Sequence, residues 1–223
     1  MTAFLFSGQG SQYPEMGKEL LEANPEFGFI YETASDILGF DLKKVTFESS
    51  EEELAQTKYS QPAIMAMSLL CFETAKKNSI TFDAAAGHSL GEYSAMYAAG
   101  VMDLDNILLA IQKRADLMQE ACENSKSGAM SAILGLSEDK IKECLNEASS
   151  KGLVSIANYN EPNQIVITGE ADAVNFANEL IKEAGAKRVV PLAVSGGFHS
   201  KLMQSASDKF KDFVPTLKMN DTN

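Results

Sequence analysis

Ser89 stands in Gly87-His88-Ser89-Leu90-Gly91, a G-x-S-x-G pentapeptide. In this pattern the glycines let the backbone turn sharply enough to present a serine hydroxyl at the top of a strand, where it can attack an acyl group. The same five residues also describe an ordinary glycine-rich turn with a capping serine, so context must decide. A short apolar run, Ile80 to Ala86 interrupted by Asp83, precedes the pentapeptide, and a helix of small residues, Glu92 to Ala99, follows it. Strand, sharp turn and helix are the setting a nucleophile requires.

A serine hydroxyl is a weak nucleophile until a base takes its proton, and histidine titrates in the right range. The chain has two histidines, His88 and His199. An elbow would aim the side chain of His88 away from the serine hydroxyl. His199 lies in the glycine-rich segment Val194-Ser195-Gly196-Gly197-Phe198-His199-Ser200 after an expected strand. By elimination His199 is the candidate base, against the alternative of a solvated loop histidine. Acyl transfer also needs N–H donors for the developing oxyanion. The N–H of Leu90 follows the nucleophile, and Ser7-Gly8-Gln9-Gly10-Ser11-Gln12, another glycine turn after a strand, can supply a second. That turn has neither the Lys nor the spacing of a phosphate-binding P-loop.

Of the 19 cationic side chains only Arg114 and Arg188 are arginine. An arginine in so lysine-rich a chain suggests a use for its planar, two-pronged fork. A structural ion pair on a helix is the competing reading of Arg114.

Composition narrows the classes. With 223 residues and 45% apolar content the chain can bury a substantial core. A formal charge of −12 argues against nucleic-acid binding, which needs a basic face. No apolar stretch approaches the ~20 residues of a membrane span, and the N-terminus does not resemble a signal peptide, so a cytoplasmic protein without a membrane partner is expected. Cys71, Cys122 and Cys144 are an odd number without metal-ligand spacing, which suggests neither disulfides nor a metal site.

These residues must be positioned by an α/β chain. Thr2 to Phe6 reads as a strand, with a helical pattern (Met16, Leu20, Leu21) after the glycine turn. Asp36 to Lys58 is polar and reads as irregular, and Pro62 reads as the first-turn residue of a helix from Ala63 to Ala75. The spacing of Ile107, Leu108, Ile111, Ala115, Leu117 and Met118 puts Arg114 in another helix. From about Gly128 the order is strand (129–136), helix (138–148), strand (153–158), strand (164–168), helix (171–184), strand (188–192). This βαββαβ order is the ferredoxin-like motif. The expected fold is therefore α/β: an α/β-hydrolase-like large domain with a parallel sheet (1–126 and 193–223) and an inserted ferredoxin-like small domain (127–192). One further helix, Leu202 to Phe213, is expected after His199. No further strand follows, so the sequence is expected to be part of a longer protein.

Taken together, Ser7-Gly8-Gln9-Gly10-Ser11-Gln12, Gln61-Pro62-Ala63, Gly87-His88-Ser89-Leu90-Gly91-Glu92, Arg114 twenty-five residues beyond the serine, Asn158-Tyr159-Asn160 and Phe198-His199 resemble, in this order, the malonyl-CoA–acyl carrier protein transacylases. Related acyltransferase domains occur in polyketide synthases. The resemblance spans the whole chain. It implies Ser89 as acylated nucleophile, His199 as base, and the N–H groups of Gln9 and Leu90 as oxyanion hole. It implies Arg114 as the two-pronged ligand of the malonyl carboxylate, and Gln61, Asn160 and Phe198 as substrate-binding residues. Phe198 matches a position where phenylalanine goes with malonyl and smaller residues with branched extenders.

The implied reaction is ping-pong. A malonyl-serine ester forms from malonyl-CoA and is taken by the thiol of an acyl carrier protein in fatty acid synthesis. Coenzyme A thioester is substrate, no cofactor is permanently bound, and a monomer is expected. Family members continue beyond the equivalent of Asn223 with further strands and a glutamine whose carbonyl orients the histidine, which again implies a longer protein. A polyketide acyltransferase would use the same residues with another carrier. A serine hydrolase or thioesterase would explain Ser89 and His199 but leaves Arg114 without a purpose.

Overall fold

A computed structural model describes residues 1–124, 127–194 and 196–221. The chain separates into two compact units, one formed by Met1–Asp116 with Phe210–Asn223, the other by Leu117–Lys209. These limits lie outside the expected 127–192. The reason is local: Gly196 packs against the Cys122 side chain near the end of a long helix, and Thr168 Oγ1 donates to the Phe198 carbonyl at 2.7 Å. Both flanks of the antiparallel sheet therefore group with it.

In the first unit, β1 (Ala3–Phe6) and β2 (Ala84–Gly87) pair in parallel, from Ala3 opposite Ala84 to Phe6 opposite Gly87. This register makes the turns after both strands leave from the same end of the pair, where ligands of parallel sheets bind. Beneath the strands Phe4 stacks on Phe82 with centroids 4.8 Å apart, and Phe72 meets both edge-on. On its other side β1 has no strand partner among the described residues, and Leu5 is 79% exposed there.

The first helices are α1 (Lys18–Ala23), α2 (Phe29–Leu38), α3 (Leu42–Glu48) and α4 (Glu51–Leu54). The last part of α2 and all of α3 and α4 occupy the segment expected to be irregular. The Asp41 carboxylate caps α3 by accepting from the Lys44 N–H at 2.9 Å, and Ser50 Oγ caps α4 from the Glu53 N–H at 3.2 Å. Glu51, Glu52 and Glu53 then fill the first turn of α4, where the helix dipole favours negative charge.

Next come α5 (Thr57–Lys77), α6 (Gly91–Ala98) and α7 (Leu104–Asn124). The helix α5 starts five residues before Pro62, which lies inside it rather than in its first turn. Its apolar residues Ile64, Met65, Leu69 and Leu70 join Ile30, Leu42, Leu54, Ile107, Leu108 and Ile111 in one core. Each fully buried Leu or Ile of this kind stabilises the fold by roughly 1.5–3 kcal/mol.

In the second unit, β3 (Gly128–Leu134), α8 (Glu138–Ala148), β4 (Val154–Glu161), β5 (Gln164–Glu170), α9 (Ala171–Glu183) and β6 (Arg188–Pro191) follow in turn. The four strands form an antiparallel sheet of order β4-β5-β3-β6. Both helices seal it through Ile141, Leu145, Val174, Ala177 and Ile181 against Ile133, Ile165 and Ile167. A single 3-10 turn, Lys201–Met203, leads into α10 (Gln204–Phe213). Of the cysteines, Cys144 is buried but Cys71 is exposed on α5. Among the described residues no helix is long and apolar enough to cross a membrane.

Candidate active site

The elbow is built by close backbone packing. A Cβ on Gly87 would overlap the backbone of Gly91 and Glu92, and one on Gly91 would overlap the carbonyl group of Phe6. Only glycines permit this crossing of β2 and α6 over the end of β1. The His88 N–H donates to the Phe6 carbonyl at 3.0 Å and so ties the elbow to β1. Gly8 closes the other side: a Cβ there would lie 2.6 Å from the His88 carbonyl oxygen. Ser89 takes φ 53°, the left-handed conformation a non-glycine residue rarely adopts, as a nucleophile elbow demands.

Ser89 meets Arg114 directly. The guanidinium, carried by α7, donates from Nη2 to Ser89 Oγ at 3.0 Å and from Nη1 to Gln61 Oε1 at 2.6 Å. Gln61, on α5, is fully buried, and its Nε2 makes a long contact of 3.5 Å to Gln9 Oε1. Gln9 in turn donates from Nε2 to Thr57 Oγ1 at 3.3 Å. A polar chain thus runs from Thr57 through Gln9, Gln61 and Arg114 to the serine hydroxyl. Burial pushes the Arg114 guanidinium below its usual pKa, partly offset by Tyr93 and Glu92. Among the described residues no carboxylate lies within ion-pair reach of it. A buried cation of this kind has the chemistry to receive an external anion.

Leu90 is buried at the head of α6, one residue past the elbow. Neither its N–H nor that of Gln9 donates a hydrogen bond among the described residues. Ser89, Arg114, Gln61, Gln9 and Leu90 all belong to the first unit.

His199, Phe198 and Asn160 belong to the second. Phe198 is buried and its carbonyl is fixed by Thr168. His199 is exposed at φ 57°, and Ser200 Oγ donates to the Gly197 carbonyl at 2.6 Å. Gly197 approaches the backbone of Gly128 too closely for a Cβ on that residue. The histidine loop is therefore anchored to β3 and β5. Asn160 is exposed near the end of β4, within the register shift between Tyr159 and Glu161.

Two residues around the guanidinium escaped the sequence reading. Thr57 sits in the segment taken as irregular. The Tyr93 ring lies under Arg114, with Cζ 5.7 Å from its centroid.

Comparison with known proteins defines the class first: the acyl transferase domain model matches residues 3–221, and the chain is an acyltransferase. The malonyl CoA-acyl carrier protein transacylase of Bacillus subtilis is 44% identical over 222 residues, covering 99% of this chain and 70% of that protein. The crystal structure of MCAT from Streptococcus pneumoniae has a TM-score of 0.91 at 42% identity and spans 100% of this chain and 72% of its own. A malonyl-transacylase in complex with a type II PKS acyl-carrier protein has a TM-score of 0.94 at 39% identity, over 99% of this chain and 72% of its own. The chain belongs to the malonyl CoA-acyl carrier protein transacylase family.

Proposed function

We propose that the chain transfers a malonyl group from coenzyme A to the thiol of an acyl carrier protein in fatty acid synthesis, through an ester on Ser89. One observation carries the site assignment: Arg114 lies 3.0 Å from Ser89 Oγ, held by Gln61 and without a carboxylate partner among the described residues. A cation there selects an acyl group that ends in a carboxylate and holds its thioester carbon near the serine.

In the first half-reaction His199 takes the Ser89 proton as Oγ attacks the thioester carbon. The N–H groups of Gln9 and Leu90 hold the oxyanion. The C–S bond breaks and coenzyme A leaves as the thiol, reprotonated from His199. In the second, the carrier thiol gives its proton to His199 and attacks the malonyl-serine ester; the C–O bond breaks and His199 returns the proton to Oγ, which restores Ser89. No permanently bound cofactor takes part. The role of His199 is supported by its place after the nucleophile in the chain and by the Phe198-His199 motif. Phe198 bounds the acyl pocket and Asn160 contacts the substrate on the same motif evidence.

The βαββαβ unit is read as ferredoxin-like, supported by its strand order β4-β5-β3-β6. The first unit is read as α/β-hydrolase-like, supported by its elbow on a parallel strand pair. A cytoplasmic monomer is proposed. The neighbour solved with a type II PKS carrier supports a polyketide role as the second reading, and transfer to each purified carrier separates the two.

The test of the site is Arg114→Ala. Malonyl transfer should fall roughly 100-fold or more, the loss expected of two charge-assisted hydrogen bonds, while acetyl transfer keeps its rate. Equal losses for both acyl groups would remove the carboxylate role.

A further inference from the structure

We infer that Tyr93 is a positioning residue that sets the plane of the Arg114 guanidinium, an inference that rests on the carboxylate-binding role proposed above. The fork is held at two points, Gln61 Oε1 at 2.6 Å and Ser89 Oγ at 3.0 Å. Two contacts along one edge leave the plane free to tilt about the line joining them. A carboxylate received in two-pronged fashion must be coplanar with the fork, so this tilt decides how well it binds. The Tyr93 ring supplies the missing constraint, with the guanidinium carbon 5.7 Å from its centroid, inside the range of cation–π attraction.

The ring is itself well held. It packs against the core of the first unit, and Phe210 of α10 meets it nearly edge-on, with centroids 6.4 Å apart and planes at 79°. Burial raises the phenol pKa against the opposing pull of Arg114, which also acts on the phenol oxygen, so the ring stays neutral. Tyr93 lies in the first turn of α6, the helix that the Ser89 turn leads into, which fixes the distance between the ring and Ser89. The elbow thus carries both the attacking oxygen and the surface that orients the carboxylate ligand. Acetyl groups have no carboxylate and gain nothing from this surface.

The experiment is acylation of Ser89 in a single turnover, followed by intact mass, with malonyl-CoA and acetyl-CoA on wild type, Tyr93→Phe and Tyr93→Leu. Tyr93→Leu should raise the malonyl-CoA concentration for half-maximal acylation about three- to tenfold, while the maximal malonyl rate and the acetyl kinetics stay within about twofold. Tyr93→Phe keeps the ring face and should match wild type. Equal losses for both acyl groups in Tyr93→Leu would show a merely structural residue and overturn the inference. So would a Tyr93→Phe variant as impaired as Tyr93→Leu, or an unaltered Tyr93→Leu. A wild-type protein that takes no malonyl group would overturn the functional reading itself.

Discussion

Ser89 holds its hydroxyl at the Arg114 guanidinium with backbone strain: its φ of 53° costs an L-residue roughly 1–2 kcal/mol. The glycines around it hold that geometry by letting β1, β2 and α6 touch. Gly91→Ala tests this directly, because the new methyl would overlap the Phe6 carbonyl. The variant should lose roughly 1–3 kcal/mol in denaturant unfolding, as overpacked sites do, and its Ser89 acylation should drop more steeply than its stability. A variant with wild-type stability and acylation would mean the crossing is not needed. At this scale the sequence was legible where chemistry demands particular residue types, as in the pentapeptide, the Gln9 turn and the isolated Arg114. Tyr93 and Thr57 were not, because an aromatic on a helix and a threonine in a polar stretch fit many roles equally well. Gln61 was expected, through the family resemblance alone, to bind substrate. Both of its amide atoms face protein groups, Arg114 and Gln9.

Elements were legible wherever periodicity was long or punctuated. The βαββαβ order, the strands before both glycine turns and the helix bearing Arg114 were all readable. The helices α3 and α4 were not, since they are short and mostly polar; their signal lies in the caps Asp41 and Ser50 rather than in an apolar stripe. Pro62 misled for a related reason: it punctuates strongly, yet α5 begins earlier and absorbs it. Asp103 caps α7, the helix that delivers Arg114, by accepting from the Asn106 N–H at 2.9 Å and from its side-chain amide at 2.7 Å. These bonds hold its carboxyl below the ordinary 3.8, the backbone N–H contributing most. Folding therefore favours the ionised form. The cap's contribution is complete well above pH 3.8 and is lost as pH falls through the lower folded-state value. Asp103→Ala should cost about 1 kcal/mol at neutral pH, measured by urea unfolding, and the difference from wild type should shrink on acidification. A difference that grows at low pH would contradict the assignment.

Over the whole molecule, the parallel register of β1 and β2 does the most to make a site. It brings two loops separated by about eighty residues of sequence to one strand end, and α5 and α7 then deliver Gln61 and Arg114 beside them. Little of this convergence could be read from spacing alone, because it depends on packing among helices whose sequence separation carries no distance information. The apolar run of β1 was also a poor guide to burial, since Leu5 points away from the core. The chain spans 70% of the length of its Bacillus subtilis relative. The proposed transfer requires a covalent acyl-serine. Incubation of the folded protein with malonyl-CoA, followed by peptide mass analysis, should find a single malonyl group on the peptide that carries Ser89, and added acyl carrier protein should remove it onto its own thiol. An unmodified Ser89, or a malonyl group on any other residue, would contradict it.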